Sequence, residues 1–109
     1  MRILVVCGAG ASSTFVAQRI NGAARTRELP WSAVATNEVS LPEELESSDL
    51  VLVGPHFAAH LEQIRQLAAP HGVGVVLMDA NAFSDLDGTQ ALALVEAAVQ
   101  DGTARSVHP

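Results

Sequence analysis

Residues 2–14 read Arg2-Ile3-Leu4-Val5-Val6-Cys7-Gly8-Ala9-Gly10-Ala11-Ser12-Ser13-Thr14. The apolar run before Cys7 is mostly β-branched, which predicts a strand covered on both faces, as in parallel sheets. Gly8 and Gly10 permit backbone angles that other residues resist, and Ser12 or Ser13 can cap a following helix. Amide hydrogens turned inward at a helix start bind anions. The stretch therefore predicts a strand, an anion-binding loop and a helix in direct succession.

Further strands and helices alternate along the rest of the chain. Apolar runs predict strands at residues 31–36, 50–53 and 73–78, the first of them less apolar and so expected at an edge of the sheet. Apolar residues at helical spacing predict a first helix ending near Arg27 and a second opened by Pro55. Asp87 and Gln90 have the spacing of a capping box for a last helix that ends at Gly102. A short helical turn is expected at residues 41–46.

This alternation predicts an α/β domain built on a parallel sheet of four strands, with helices on both faces. We expect a single domain over residues 1–102 and a flexible tail over residues 103–109. Ligands of such sheets bind beyond the carboxyl ends of the strands. That edge should collect residues 7–14, 36–38, 54–56 and 79–83.

Composition excludes several classes of function. The chain has 109 residues and a formal net charge of −6, with only six lysines and arginines, which argues against nucleic-acid binding. No apolar run approaches the roughly 20 residues needed to insert into a bilayer, and a single cysteine fits a reducing compartment. We therefore expect a cytoplasmic protein. The histidines lack the partner spacing of a metal site, although His56 and His60 could share a helix face.

Cys7 is the candidate nucleophile. A thiol at a helix N-terminus, surrounded by amides, should have a lowered pKa, because the helix dipole and hydrogen bonds stabilise the thiolate. The alternative is a buried cysteine that merely ends a strand, since free cysteine packs as a small hydrophobic residue. The glycines and hydroxyls that follow Cys7 favour the functional interpretation, because a packed strand end needs neither.

Three segments carry a family resemblance. The loop Cys7–Thr14 resembles the cysteine loop of the sugar-specific IIB components, lactose/cellobiose type, of the bacterial phosphoenolpyruvate-dependent phosphotransferase system. Residues 49–56 are similar to that family's third strand and its glycine-proline turn, and Leu86-Asp87-Gly88 also resembles its members. Ala11 departs from the pattern, because the family commonly has methionine there. The resemblance implies a flavodoxin-like or low-molecular-weight-phosphatase-like topology with strand order 2-1-3-4.

The resemblance also implies a phosphoryl relay. A histidine of the IIA component would phosphorylate Cys7, and Cys7 would pass the group to a sugar transported by the membrane-embedded IIC component. The implied phosphate-binding residues are Gly8, Ala9, Gly10, Ala11, Ser12, Ser13 and Thr14. His56 is a possible auxiliary donor to the phosphoryl group. Neither a cofactor nor a metal is expected.

Two alternatives stay open. A low-molecular-weight phosphatase or arsenate reductase also uses a cysteine loop, but it has an arginine six residues after its cysteine, where this chain has Ser13. Arg19 is the nearest following cation, and only Asp79 or Asp85 could serve as the acid. The other alternative is a non-enzymatic anion-binding module in which Cys7 is incidental, although the loop lacks the lysine of a nucleotide-binding P-loop.

Overall fold

Strands and helices alternate along the chain, as the apolar runs predict. The structure, a computed structural model, describes residues 1–7, 10–78 and 88–103, with the backbone alone for residues 10–12. The strands are β1 (Arg2–Val6), β2 (Ser32–Thr36), β3 (Leu50–Val53) and β4 (Gly74–Leu77), and the α-helices are α1 (Gly10–Thr26), α2 (Leu41–Glu44), α3 (Leu61–Ala68) and α4 (Thr89–Gln100). Short 3₁₀ helices span Leu45–Ser47, Pro55–His60 and Ala69–His71.

The described strands form one parallel sheet in the order β2-β1-β3-β4, which confirms the expected order. The strand ends are in register, because Val6 lies opposite both Thr36 and Val53. The backbone pairing continues past the strands, where the Gly54 amide donates to the Val6 carbonyl over 2.8 Å. The residues that follow each strand are therefore brought to one edge of the sheet.

Helices cover both faces of the sheet, also as expected. Because side chains alternate along a strand, Ile3 and Val5 pack with α1 and α4, whereas Leu4 and Val6 pack with α2 and α3. All four side chains have no exposed surface. Burying an aliphatic side chain of this size contributes about 1.5–3 kcal/mol. The apolar run of β1 therefore anchors both layers of the core.

Strand β2 lies at an edge, as its weaker apolar character predicts. The side chain of Asn21, on α1, pairs with the outward backbone of Ala33. Its Nδ2 donates to the Ala33 carbonyl over 2.9 Å, and its Oδ1 accepts the Ala33 amide over 2.7 Å. An unpaired strand edge can template association with another chain. The Asn21 side chain forms hydrogen bonds with both the amide and the carbonyl of Ala33, and so links the edge strand β2 to α1.

Two predicted helix starts, those of α1 and α3, are wrong. Helix α1 begins at Gly10, so Ser12 and Ser13 lie inside its first turn and are not its caps. Pro55 opens a 3₁₀ helix, and α3 begins only at Leu61. The segment after Pro55 is a 3₁₀ helix because the Phe57 amide donates to the Gly54 carbonyl, three residues back, which makes a tighter turn than an α-helix.

The last helix also begins differently from the prediction. Gly88, with a φ of 78°, occupies the N-cap position of α4 and has no side chain with which to cap it. Asp87, the predicted cap, lies outside the described residues. Helix α4 ends at Gln100, and Gly102 follows with a φ of 83°. Of the expected tail, only Thr103 is described, and its amide donates to Asp101 over 2.9 Å.

Within the described ranges, no helix combines the length and the apolar character that crossing a bilayer requires.

Candidate active site

Cys7 directly follows β1 and lies at the carboxyl edge of the sheet. Its side chain is nearly buried, with 8% of its surface exposed. Gly54, which follows the neighbouring strand β3, packs directly against it. A Cβ atom added at Gly54 would lie 2.8 Å from the Cys7 sulfur. The bare backbone at Gly54 is therefore what makes room for the thiol.

The other side of Cys7 faces an open cavity of about 220 Å³. The cavity lies between the first turns of α1 and the end of β2. The described residues that line it are Cys7, Ser13, Thr14, Ala35, Thr36 and Asn37. None of these residues carries a charged side chain at neutral pH, apart from the ionisable thiol itself. The site thus offers a sulfur atom, hydroxyls and an amide.

The structure brings three of the predicted site residues together. Cys7, Ser13 and Thr14 share the cavity, with Ser13 buried and Thr14 exposed. Gly8 and Ala9 lie outside the described residues. Residues 10–12 form the start of α1, which opens three positions after Cys7. The positive end of this helix therefore begins beside the sulfur.

The pKa of the thiol departs from the expectation. Burial raises the pKa of Cys7 above its ordinary value, because removing water disfavours the thiolate. The sequence predicts a lowered pKa from loop amides and the helix dipole. In the described part of the chain this prediction is wrong, and desolvation is the stronger effect. A raised pKa favours the protonated thiol over the thiolate.

His56 does not line the cavity. Its side chain is exposed, within the 3₁₀ helix that follows Gly54. Its neighbour Phe57 turns inward and stacks on His60, with the ring centroids 4.3 Å apart. An auxiliary role for His56 stays a prediction.

Among the described residues, the features of a phosphatase do not come together around this cavity. Ser13 occupies the place of the phosphatase arginine, and Arg19 is not among the lining residues. The backbone of Arg19 instead packs against Gly88 at the start of α4. Asp79 and Asp85, the candidate acids, lie outside the described residues. Within the described ranges, no three His, Cys, Asp or Glu side chains come together as metal ligands.

The sequence placed Thr36 and Asn37 at this edge of the sheet but gave neither of them a role in the site. The Thr36 hydroxyl donates to Glu44 Oε2, and Glu44 Oε1 lies 3.4 Å from a guanidinium nitrogen of Arg2. Arg2 thus offsets the carboxylate charge next to the cavity wall. The available signal was position, because both residues lie where β2 ends, at the ligand-binding edge of a parallel sheet.

Comparison with known proteins gives consistent matches. The sequence model of the family described as "PTS system, Lactose/Cellobiose specific IIB subunit" matches residues 2–94. The "PTS system lactose-specific EIICB component" of Lactococcus lactis subsp. lactis is 29% identical over 96 residues. That match covers 86% of this chain but only 17% of the relative, so the chain spans about a sixth of that protein.

Solved structures agree with this assignment of fold. The lactose-specific IIB domain from Streptococcus pneumoniae matches with a TM-score of 0.80 at 20% identity, covering 89% of this chain and 95% of that one. The cellobiose-specific IIB component from Borrelia burgdorferi matches with a TM-score of 0.72 at 26% identity, covering 95% of each chain. The expected flavodoxin-like topology is confirmed.

Proposed function

The chain belongs to the lactose/cellobiose-specific IIB family of the bacterial phosphotransferase system, and from this premise we propose that Cys7 carries the phosphoryl group during sugar uptake. The observation that supports this most directly is the position of Cys7. It is a nearly buried thiol that faces a cavity with no charged side chain among its described lining residues, and α1 begins three positions after it. A phosphoryl group on sulfur would extend into that cavity.

In the first step the donor is a phosphohistidine of a IIA component. The Cys7 sulfur attacks phosphorus, the S–P bond forms and the N–P bond breaks. The departing imidazole nitrogen needs a proton, and the thiol supplies the one it loses. A raised thiol pKa suits this exchange, because the proton stays on sulfur until the imidazole accepts it. Because the thiolate is the reactive form, the proton must leave the sulfur by the time the S–P bond forms.

In the second step the acceptor is a sugar hydroxyl. The hydroxyl oxygen attacks phosphorus, the S–P bond breaks and the hydroxyl proton returns to the sulfur. Burial again favours the product, since it stabilises the protonated thiol over the thiolate. The protein therefore leaves the cycle in the state in which it entered. Phosphoryl transfer of this kind depends mostly on positioning and on charge stabilisation.

The neutral lining favours a carrier over a phosphatase. An arginine fork would stabilise a phosphoryl transition state whichever nucleophile attacks, water included. The described cavity offers hydroxyl and amide groups instead. We expect these to hold the group while leaving hydrolysis slow. The phosphocysteine should then outlast the transfer to sugar.

The partners follow from the same proposal. The relative from Lactococcus lactis is named as an EIICB component, and we propose that this chain likewise works with a membrane-embedded IIC component, at its cytoplasmic side. A IIA component would supply the phosphoryl group. The boundaries of the carrier domain, 1–102, and a flexible tail from residue 103 remain part of this proposal, as does an auxiliary contact from His56.

Direct labelling tests the proposal. The chain is incubated with phosphoenolpyruvate, the general phosphotransfer proteins and a lactose- or cellobiose-type IIA component, and the modified residue is located by mass spectrometry. We expect a thiophosphate ester on Cys7 and none in a Cys7→Ser variant, which loses the reactive thiol at little cost in volume. Phosphate on a histidine or serine with Cys7 unmodified would refute the proposal, and rapid turnover of an aryl phosphate would favour the phosphatase.

A further inference from the structure

The side-chain amide of Asn37 is held in one orientation beside the cavity. Its Oδ1 accepts the backbone amide of Ser40 over 2.8 Å. Its own carbonyl accepts the amide of Leu41 over 2.9 Å, so the turn that leads into α2 is built on this residue. Because the oxygen is committed to Ser40, the amide nitrogen is the end of the side chain left to face another group.

The Asn37 nitrogen is an uncommitted donor among the described residues. No hydrogen bond to Nδ2 is formed within them, whereas the hydroxyl of Thr36, the adjacent lining residue, already donates to Glu44. Ala35 has no polar side chain to offer. On the β2 wall of the cavity, Asn37 is thus the side chain able to donate to an anion.

A phosphoryl group on Cys7 would need such a donor. It is a dianion placed in a chain whose net charge is −6, and no cation lines the described cavity. Hydrogen bonds to a charged acceptor are stronger than those between neutral groups. A donor whose orientation is fixed beforehand gives up little entropy when the group arrives.

We propose that Asn37 is a phosphoryl-binding residue, whose Nδ2 donates to an oxygen of the phosphoryl group on Cys7. The inference rests on the proposed function. It extends that function to a residue outside the cysteine loop, the one that directly follows β2. Asn37 supplies a neutral donor for the task that an arginine performs in a phosphatase. It therefore steadies the phosphoryl group without adding the positive charge that would also assist attack by water.

Two variants separate this role from the support of the turn. Asn37→Asp keeps an oxygen for the Ser40 amide, and aspartate caps such turns well, but it replaces the donor with a repelling carboxylate. Asn37→Ala removes the donor without adding charge, at some cost to the turn. We expect the thermal midpoint of Asn37→Asp to match that of the unaltered chain, while phosphorylation of Cys7 by IIA slows between about 10-fold and 150-fold. Asn37→Ala should be slowed about 10-fold.

Phosphorus NMR of the phosphorylated chain adds a readout that a purely structural role would not move. The resonance should shift in both variants, because the phosphoryl group loses a donor. If both variants accept phosphate at the rate of the unaltered chain, or if only Asn37→Asp is slowed, Asn37 is not a donor and the inference is overturned. If the unaltered chain never acquires phosphate on Cys7, the proposed function itself fails, whatever the variants do.

Discussion

At the scale of single residues, the proton on Cys7 is the feature that sets how the site behaves. Burial raises the pKa of the thiol, so the folded chain keeps this proton at a pH where the unfolded chain has lost it. The stabilising effect is fully present below the ordinary thiol pKa of about 8.5. It is lost as the pH rises through the higher pKa of the folded state.

Reactivity and stability should therefore change together in alkaline solution. We expect the rate of Cys7 alkylation in the unphosphorylated protein to inflect above about pH 8.5, and the free energy of unfolding to fall across the same range. Cys7→Ser is the control, since its hydroxyl does not ionise there and the associated loss of stability should vanish. An inflection at or below the ordinary value would show that the loop amides dominate after all.

Gly54 is the second residue on which the sulfur depends. A methyl group there would lie 2.8 Å from the Cys7 sulfur and 3.1 Å from its Cβ. We expect Gly54→Ala to cost about 1–3 kcal/mol in unfolding free energy, the usual effect of overpacking a core, and to slow phosphorylation of Cys7.

Gly22→Ala is the matched control for Gly54→Ala. Gly22 lies inside α1, and a Cβ there would meet nothing within 4 Å. Helix propensity then favours alanine, and the control should gain about 0.5–1 kcal/mol. Chemical denaturation of both variants measures the difference. Equal stability of the two would mean that Cys7 moves aside without cost.

At the scale of elements, the sequence predicted what is local and missed what depends on contacts between elements. All strands were located to within a residue, because continuous apolar runs identify strands buried on both faces. The 3₁₀ turn before α3 was missed, since three- and four-residue periods are indistinguishable over so short a segment.

The errors at the site have the same physical origin. The direction of the Cys7 pKa depends on burial by elements distant in sequence, among them β3 and β2, which no local motif reveals. The contact between Gly54 and the sulfur arises from strand register. The orientation of Asn37 follows from the turn into α2. Sequence could place each of these residues at the correct edge but could not supply their contacts.

The junction of α1 and α4 allows a prediction at this scale. Gly88 and Gly102 both have positive φ angles, 78° and 83°. A Cβ at Gly88 would overlap the Arg19 carbonyl on α1, whereas one at Gly102 would meet nothing within 4 Å. Gly102→Ala should therefore cost only the left-handed backbone penalty, about 1–2 kcal/mol. Gly88→Ala should cost about 1–3 kcal/mol more, through overpacking.

Denaturant midpoints of the two glycine variants test this packing. If Gly88→Ala is no less stable than Gly102→Ala, α4 does not pack on the backbone of α1 as described. Helix α4 also makes an ion pair, through Glu96, with Arg27, which directly follows α1. That pair is partly exposed, so it should contribute little. The glycine contact is expected to dominate this junction.

At the scale of the whole molecule, the sulfur has to be reached by another protein. Only 8% of Cys7 is exposed. The phosphohistidine of the proposed IIA partner must therefore come close to the cavity before the sulfur can attack its phosphorus. Phe15 directly follows the lining residue Thr14 and is 56% exposed. Aromatic side chains are enriched at protein interfaces, so Phe15 is a candidate contact for a partner. Aromatic residues often dominate the energy of such interfaces.

Phe15→Ser should therefore weaken docking without affecting the chemistry of transfer. We expect the half-saturating concentration of IIA to rise about 10-fold, the effect of losing about 1.4 kcal/mol of apolar contact, while the maximal rate of Cys7 phosphorylation and the thermal midpoint stay unchanged. Leu67→Ser is the matched control, because Leu67 is 44% exposed on α3, across the sheet from α1. Should the two variants raise the half-saturating concentration equally, the partner does not contact Phe15. A lower maximal rate in Phe15→Ser alone would instead place this residue in the transfer step, because a contact made only in the transition state lowers the rate at saturation.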